Sequence, residues 1–265
     1  MLSQQRHAYI LERIRDEGAV RVSALAQELG VSDMTVRRDL DLLDERGLVA
    51  KVHGGATAVR SGALYEPGFA AKLERQQREK EAIAAAAVEL VEPGTAIGLS
   101  AGTTTYALAR RLLGISGLTV VTNSVPVAEA LHRHGRRDQT IILTGGVRTP
   151  SDALVGQFAV AALRTVHVDL VFMGVHGMDP HSGFTTPNLL EAETDRALVE
   201  AGRRLIVVAD HSKWGVVGIG SFARLDQADL LITDDGLPDA ARAVLEEHVR
   251  DLRVVPVREP AALQA

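Results

Sequence analysis

The stretch Ser32-Asp33-Met34-Thr35-Val36-Arg37-Arg38-Asp39-Leu40 has the two-faced pattern of an amphipathic helix. Ser32 is a residue type that often caps the start of a helix. Val36, Leu40 and Leu43 recur at spacings of four and three, which places them on one apolar stripe. The stretch therefore predicts a helix that begins after Ser32 and packs this stripe against a core.

The other face of this helix carries groups that suit a nucleic acid. Met34 and Arg38 point away from the core, and Thr35 and Arg37 flank them. A guanidinium can pair with the edge of a guanine or clamp a phosphate. The predicted DNA contacts of the helix are Ser32, Met34, Thr35, Arg37 and Arg38. An ordinary surface helix with two arginines would show the same pattern, so the flanking sequence has to decide.

Two segments before this helix complete a recognisable arrangement. Residues 5–17 and 22–29 have apolar residues at helical spacing, and Gly30 follows the second segment as a typical helix stop. A short helix, a glycine-containing turn and a second helix with polar N-terminal residues form a helix-turn-helix unit.

A change of period after this unit predicts a β-hairpin. Residues 48–52 and 57–60 have strand character on either side of His53-Gly54-Gly55-Ala56. Such a hairpin would form a wing beside the helix, with Lys51, His53 and Arg60 in reach of the DNA backbone or the minor groove. His53 could equally be a turn residue that contacts nothing.

Composition limits the alternatives. The 265-residue chain is 46% hydrophobic, has a net charge of -5 and contains no cysteine, so disulfides and thiolate metal sites are excluded. Residues 1–60 carry nine Lys or Arg and nine Asp or Glu. DNA binding by this segment would therefore depend on a few placed cations and on the pairing of copies. We expect no metal, no signal peptide and no membrane span, and hence a cytoplasmic protein.

These features resemble the N-terminal domain of the DeoR family of bacterial transcriptional regulators. The resemblance is carried by Ser32–Leu40, by Leu43 and by Lys51-Val52-His53-Gly54-Gly55-Ala56. The spacings between these segments all match the family pattern. It implies a winged helix-turn-helix domain that binds double-stranded operator DNA.

A turn-rich junction follows the wing. Ser61-Gly62-Ala63 and Pro67-Gly68 favour a domain boundary, and the charged residues 72–80 run into the alanine-rich residues 81–90, which we expect to form a solvated connecting helix. The predicted divisions are a DNA-binding domain at 1–60, a linker and connecting helix at 61–80, and a second domain at 81–258.

The second domain alternates strands with helices. The predicted strands are 95–99, 118–122, 140–144, 168–173, 205–209, 230–233 and 252–257. The predicted helices are 104–113, 125–134, 156–165, 188–201 and 238–249. This alternation predicts a mostly parallel, Rossmann-like α/β sheet covered on both faces, in which a ligand binds beyond the carboxyl ends of the strands.

The loop after the first of these strands has the make-up of an anion site. Ser100, Gly102, Thr103, Thr104 and Thr105 combine hydroxyl groups, a glycine and the start of a helix, whose free N–H groups favour negative charge. The loop lacks the lysine and the glycine spacing of a nucleotide-binding P-loop. A simple Ser/Thr helix cap would look similar.

Other small polar loops follow neighbouring strands. They contain Asn123 after the second strand, Gly145 and Gly146 after the third, and Lys213 after the fifth. Lys213 would supply a cation for an anionic ligand. Glu191 would supply an acceptor for sugar hydroxyl groups.

This half also resembles the sensor domain of the DeoR family. The matching motifs are Gly102-Thr103-Thr104-Thr105, Thr122-Asn123-Ser124, Thr144-Gly145-Gly146, Gly183-Phe184-Thr185, Glu191-Ala192 and Asp210-His211-Ser212-Lys213. The resemblance implies a domain similar to ribose-5-phosphate isomerase and glucosamine-6-phosphate deaminase, which binds a phosphorylated sugar. By this resemblance, Ser100 and residues 102–105 would hold the phosphate. The rest of the effector would contact Asn123, Gly145, Gly146, Glu191 and Lys213.

Three alternatives remain open. Gly98-Leu99-Ser100-Ala101-Gly102 fits the nucleophile elbow of a serine hydrolase, with Asp210 and His248 following in order, although its strand comes first in the sheet. Asp152, Asp179 or Glu191 could act as the base of a sugar-phosphate isomerase or deaminase. The N-terminal module could bind a protein instead of DNA.

The favoured hypothesis is a transcriptional regulator without catalytic residues or a cofactor, which represses carbohydrate-metabolism genes. A phosphorylated sugar or related metabolite would control its operator affinity. A homo-oligomer, dimer or tetramer, would place two recognition helices on two half-sites.

Overall fold

The structure is a computed structural model that describes residues 3–17, 19–45, 48–52, 54–58 and 68–258. It divides into two units, Met1–Arg75 and Gln76–Ala265. His53, one of the predicted DNA contacts, and Arg60 of the predicted wing lie outside the described residues. Across the ranges described, no helix is long and apolar enough to cross a membrane.

The first unit is a winged helix-turn-helix domain. Its elements are α1 (Ser3–Glu17), β1 (Ala19–Arg21), α2 (Val22–Leu29), α3 (Asp33–Glu45), β2 (Val49–Val52), β3 (Gly55–Ala58) and α4 (Phe69–Leu73). Strands β2 and β3 form the predicted hairpin, but β3 begins at Gly55 rather than at residue 57. The sequence also gave no sign of β1, which pairs antiparallel with β3. A Cβ at Gly55 would lie 2.0 Å from the carbonyl oxygen of Val20, so only glycine allows β3 this close to β1.

The predicted apolar stripe of α3 is confirmed. Val36, Leu40 and Leu43 are buried and pack in one core with residues of α1 and α2. The backbone N–H of Thr35 donates to Ser32 Oγ at 3.2 Å, so Ser32 caps this helix as predicted.

A buried carboxylate ties α3 to α1. Arg6 Nε donates to Asp39 Oδ2 at 2.7 Å, and the imidazole of His7 lies 2.9 Å from Asp39 Oδ1. Burial alone would raise the pKa of Asp39, but the hydrogen bonds from Arg6 and His7 outweigh it and hold the pKa below its usual value. The recognition helix is therefore fixed on α1 by an ionic contact as well as by the apolar stripe.

The second unit is a doubly wound α/β domain. Its helices are α5 (Gln77–Val88), α6 (Thr103–Arg111), α7 (Val125–His134), α8 (Gln157–Leu163), α9 (Leu189–Ala201) and α10 (Asp239–His248). Its strands are β4 (Ala96–Leu99), β5 (Thr119–Thr122), β6 (Thr140–Leu143), β7 (Val147–Arg148), β8 (Leu154–Val155), β9 (Val168–Met173), β10 (Gly177–Asp179), β11 (Gly183–Thr186), β12 (Gly202–Val208), β13 (Gly220–Ala223), β14 (Leu230–Asp234) and β15 (Leu252–Val255).

All seven predicted strands enter one parallel sheet, in the order β15-β14-β12-β9-β4-β5-β6. One face packs against α5, α6 and α7, and the other face packs against α8, α9 and α10. The five predicted helices of this region are all present, which confirms the α/β class. Two small antiparallel sheets, β10-β11-β13 and β7-β8, were not predicted.

The expectation of a solvated connecting helix is wrong. In α5, Lys80, Ile83, Ala84, Ala86 and Ala87 are buried, and four of them belong to the core on one face of the sheet. The second unit begins at Gln76, five residues before the start predicted from the sequence.

We predict that Asp39→Ala lowers the stability of the first unit by about 2 kcal/mol, because hydrogen bonds to a charged group are lost. In wild type, the contribution of Asp39 is complete above its ordinary pKa of about 3.9 and disappears as the pH falls through the lower folded value. Urea unfolding followed by circular dichroism reports both units, whereas the fluorescence of Trp214 reports the second unit alone. The Trp214 transition stays at its wild-type midpoint, and Glu12→Ala on the exposed face of α1 serves as control. Equal stability of Asp39→Ala and wild type at pH 7 would contradict this assignment.

Candidate functional sites

The polar face of α3 presents the groups expected for a groove. Met34 is 73% exposed, and Arg37 and Arg38 are exposed and make no ion pair with a described residue. Thr35 is half-buried, and its hydroxyl lies 2.9 Å from Ser32 Oγ. Two free guanidinium groups therefore stand beside the capped start of the helix.

The wing cation is less available. Lys51 forms an ion pair with Asp41 of α3, and its backbone N–H donates to Asp44 Oδ1 at 2.9 Å. These contacts join the wing to the second half of α3. Lys51 is therefore partly neutralised where the sequence suggested a free cation.

The crevice of the second unit opens between β4 and β9. From β4 the chain moves outward to β5 and β6, then returns to β9 on the other side of β4. In such sheets the point of reversal is where ligands bind. Ser100, which follows β4, accepts a hydrogen bond on its Oγ from the backbone N–H of Gly174, which follows β9, at 2.9 Å.

The predicted anion loop lies at this crevice. Gly102 has a φ of 152° directly before α6, a conformation that favours glycine. Thr105 Oγ1 donates to the carbonyl oxygens of Ser100 (2.8 Å) and Gly102 (3.0 Å), so this hydroxyl shapes the loop. The hydroxyls of Thr103 and Thr104 make no hydrogen bond with the described residues. These two hydroxyls and the N–H groups of the first helical turn are the donors left for a ligand.

Asn123 lies against the same loop. Its Oδ1 accepts a hydrogen bond from the backbone N–H of Ala101 at 2.9 Å. The residue is 1% exposed, and its buried Nδ2 has no hydrogen-bond partner in the part of the chain that the structure describes. An amide donor left unpaired at a buried position is costly, so a bound acceptor would stabilise it.

Gly145 and Gly146 begin a segment, residues 145–155, that we call the strap. It contains the β7-β8 hairpin, and the backbone N–H of Leu154 donates to the carbonyl oxygen of Asn123 at 2.7 Å. A Cβ at Gly146 would lie 2.5 Å from the carbonyl oxygen of Val155. Gly146 therefore allows the two ends of the strap to lie in direct contact.

Glu191 anchors the strap. Thr149 Oγ1 (3.0 Å) and Ser151 Oγ donate to Glu191 Oε1, and Thr186 Oγ1 donates to Oε2 at 2.8 Å. Three protein hydroxyls thus occupy most of the accepting capacity that the sequence assigned to sugar hydroxyls.

Asp195 lies one turn after Glu191 on α9. Burial raises the pKa of Asp195 well above its usual range, and the negative charge of Glu191 adds to this effect. No sequence motif singled out Asp195 or the three hydroxyl partners of Glu191.

Lys213 lies at the same edge of the sheet, in a 3₁₀ turn (His211–Lys213) after β12. It is half-buried, and its ammonium group has no hydrogen-bond or ion-pair partner among the described residues. Strand β12 is two strands from β4, which corresponds to about 10 Å. Asp210, two residues beyond β12, caps this turn through Oδ1, and its buried Oδ2 has no partner within the ranges described. Asp210 was visible in a sequence motif but was not proposed as a contact.

The serine hydrolase alternative fails on geometry. His248 ends α10 and therefore lies at the amino edge of the sheet, opposite the edge that carries Ser100, and its Nδ1 bonds to the carbonyl oxygen of Val244. Asp210 is engaged with Ser212. Within the described ranges, no three His, Asp or Glu side chains converge on a point that could hold a metal ion.

A winged helix-turn-helix unit joined to a doubly wound α/β unit is the architecture of a two-domain transcriptional regulator. Residues 6–62 match the family model of the DeoR-like helix-turn-helix domain, and residues 75–235 match that of the DeoR C-terminal sensor domain. The chain belongs to the DeoR family of transcriptional regulators, as its sequence motifs suggested.

Two relatives illustrate the family match. The chain is 37% identical to the transcriptional regulator GlpR of Haloferax volcanii over 93% of this chain and 95% of the relative. It is 32% identical to the glycerol-3-phosphate regulon repressor of Escherichia coli over 94% and 97% of the two chains. Among solved structures, ribose 5-phosphate isomerase A of Methanocaldococcus jannaschii aligns with a TM-score of 0.36 and 17% identity, over 51% of this chain and 53% of the isomerase.

Proposed function

We propose that this protein represses carbohydrate-metabolism genes and that a phosphorylated sugar controls its affinity for operator DNA. The observation that carries the proposal is the buried, unpaired Nδ2 of Asn123 beside the anion loop. The free groups of that loop and of Asn123 are hydrogen-bond donors, and Lys213 adds a cation at the same edge, which suits a phosphate. The proposed effector contacts are Ser100, Gly102, Thr103, Thr104, Thr105, Asn123, Gly145, Gly146, Glu191 and Lys213.

The relatives support the same kind of ligand. One relative is named as the repressor of a glycerol-3-phosphate regulon, and the second unit matches a sensor-domain model. A protein that acts on chromosomal DNA works in the cytoplasm of a bacterial or archaeal cell, which is where we place it.

For DNA, we expect Arg37→Ala and Arg38→Ala each to raise the Kd for a duplex from the protein's own promoter region about tenfold, the usual cost of one base or phosphate contact. Both arginines are exposed, so neither change should alter the melting temperature. Fluorescence anisotropy at fixed salt measures the Kd. The control is Arg203→Ala, an exposed arginine of the second unit. If the module binds proteins instead of DNA, wild type shows no saturable binding to the duplex. Two arginine variants that bind as tightly as wild type would remove α3 as the recognition helix.

For the effector, a thermal-shift screen compares glycerol 3-phosphate, ribose 5-phosphate, glucosamine 6-phosphate and inorganic phosphate with the corresponding unphosphorylated compounds. A true effector at 100 times its Kd stabilises the protein by about 2.7 kcal/mol. We expect a shift only with phosphorylated compounds, and loss of most of it in Lys213→Ala. Arg164→Ala, at an exposed arginine after α8, should respond like wild type. A response to unphosphorylated sugars alone would argue against the anion site.

An isomerase or deaminase reaction finds little support in the candidate bases. Asp152 is paired with Arg148 at 2.7 Å, and Glu191 already accepts three hydroxyls. Asp179 caps a turn, and the backbone N–H of Ser182 in particular holds its pKa below the usual value. Sugar phosphates incubated with the protein should therefore show unchanged NMR spectra. Conversion of one of them to another compound would support the isomerase or deaminase alternative.

We also propose that the protein acts as a dimer or tetramer. A first segment without net charge gives one copy weak DNA affinity. The second unit leaves Phe158 70% exposed and Leu189 60% exposed, on helices α8 and α9 that contact each other. Exposed large apolar side chains of this kind are typical of interfaces. Sedimentation should give two or four times the chain mass of 28.3 kDa, and a mass of one chain at micromolar concentration would contradict the proposal.

A further inference from the structure

The ring of His211 lies between a buried carboxylate and the first residue of the second unit. His211 Nδ1 is 2.6 Å from Asp234 Oδ2, and Asp234 is 1% exposed. Because a carboxylate only accepts, Nδ1 carries the hydrogen. In the neutral ring, Nε2 then accepts, and Gln76 Nε2 lies 3.3 Å from it. The ring therefore joins β14 to the start of α5.

The orientation of the ring is fixed from several sides. Asp234 Oδ1 accepts the backbone N–H of His211 at 2.8 Å, and Asp234 Oδ2 accepts the backbone N–H of Gly236 at 3.0 Å. A Cβ at Gly236 would lie 2.5 Å from His211 Nδ1, so a side chain there would displace the ring. The contacts with Asp234 and Gly236 thus restrict the imidazole to one orientation.

His211 belongs to the turn that carries the proposed ligand cation. The 3₁₀ turn runs from His211 to Lys213, and Asp210 caps it through the backbone N–H of Ser212 at 3.1 Å. The backbone N–H of Lys213 bonds to the carbonyl oxygen of Asp210 at 3.1 Å. A movement of Lys213 toward a ligand would therefore move His211 as well.

Gln76 holds an unusual backbone conformation at a critical point of the chain. Its φ of 46° and ψ of 43° lie in the left-handed region, which costs a residue with a side chain about 1 kcal/mol. Its carbonyl oxygen accepts the N–H of Lys80 at 3.0 Å and so closes the first turn of α5. It directly follows Arg75, where the two units divide. Strained residues of this kind persist where their surroundings hold them.

We propose that His211 is a positioning residue that connects the 3₁₀ turn carrying Lys213 to Gln76, the first residue of the second unit. Held by Asp234, its ring supports the left-handed conformation of Gln76. A ligand that draws Lys213 toward the anion loop shifts the ring and changes the backbone at residue 76, where the chain leaves the first unit. The ligand half of this inference rests on the proposed function, whereas the link between His211 and Gln76 does not.

Hydrogen exchange of the full chain, without DNA or ligand, tests this link from both ends. His211→Ala should raise exchange of the amides in residues 76–80 about fivefold, the equivalent of one modest hydrogen bond. Gln76→Ala should raise exchange in residues 210–214 by a similar factor. Gln77→Ala is the matched control, since Gln77 is exposed and one residue further along α5. Far-ultraviolet circular dichroism and the melting temperature verify that each variant is folded.

DNA affinity shows whether the link reaches the first unit. His211→Ala and Gln76→Ala should change the Kd for the promoter duplex in the same direction. The double variant should have the Kd of the single variants, because each substitution removes the same contact between His211 and Gln76. Wild-type exchange at residues 76–80 in His211→Ala would overturn the proposal. So would additive effects on the Kd, or exchange changes without any effect on DNA binding. A wild-type protein that binds no DNA would instead overturn the proposed function, and the exchange data would still decide the link.

Discussion

A parallel sheet has to be covered on both faces, and this constraint organises the second unit. Helices α8, α9 and α10 cover one face. On the other face, α6 and α7 follow the strands at one end of the sheet, which leaves β12, β14 and β15 to be covered by something else. Helix α5, the first element of the unit, contacts these three strands. The start of α5 thereby comes to lie beside His211 at the carboxyl edge of the sheet. Gln76, the first residue of the second unit, is therefore at the edge where the proposed ligand binds.

The inner strands of this sheet were predictable because they are largely buried on both sides. A segment such as 168–173 is an almost unbroken apolar run, and its observed ends agree with the predicted ones. Strand β1, with three residues, and strands β7 and β8, with two each, are too short for any period to appear. Their pairing depends on contacts that form only in the folded chain.

Helix α5 was misjudged for a different physical reason. Alanine has little apolar surface, so the buried positions Ala84 and Ala87 differ weakly from the half-buried Ala85 on the other face. The neighbouring charges of residues 72–80 suggested solvent, yet Lys80 is buried. Covering a sheet closely calls for small side chains, and small side chains weaken the periodic signal that reveals a buried helix.

The sites show the same division between what sequence can and cannot reveal. The loops at the carboxyl edge follow from the order of strands and helices, and the residue types of an anion site follow from their chemistry. The partners of each side chain do not. Glu191 accepts hydroxyls from Thr149 and Ser151 because the strap lies across it, and Lys51 meets Asp41 because of the register of the wing. Such pairings are set by segments without a periodic pattern, so the sequence indicated the residue types but not the intramolecular partners of Glu191 and Lys51.

The distribution of charge in the first unit bears on how a distant ligand could control DNA binding. Asp39 is occupied by Arg6 and His7, and Lys51 is occupied by Asp41, so Arg37 and Arg38 are the main free cations of the α3 surface. Two cations give one copy low affinity, and useful affinity then requires two copies that reach two half-sites together. The gain from paired binding is lost when the geometry prevents simultaneous contact. On the proposed function and the proposed link between His211 and Gln76, a change of backbone direction at Gln76 would release the operator without a change in the recognition helix itself.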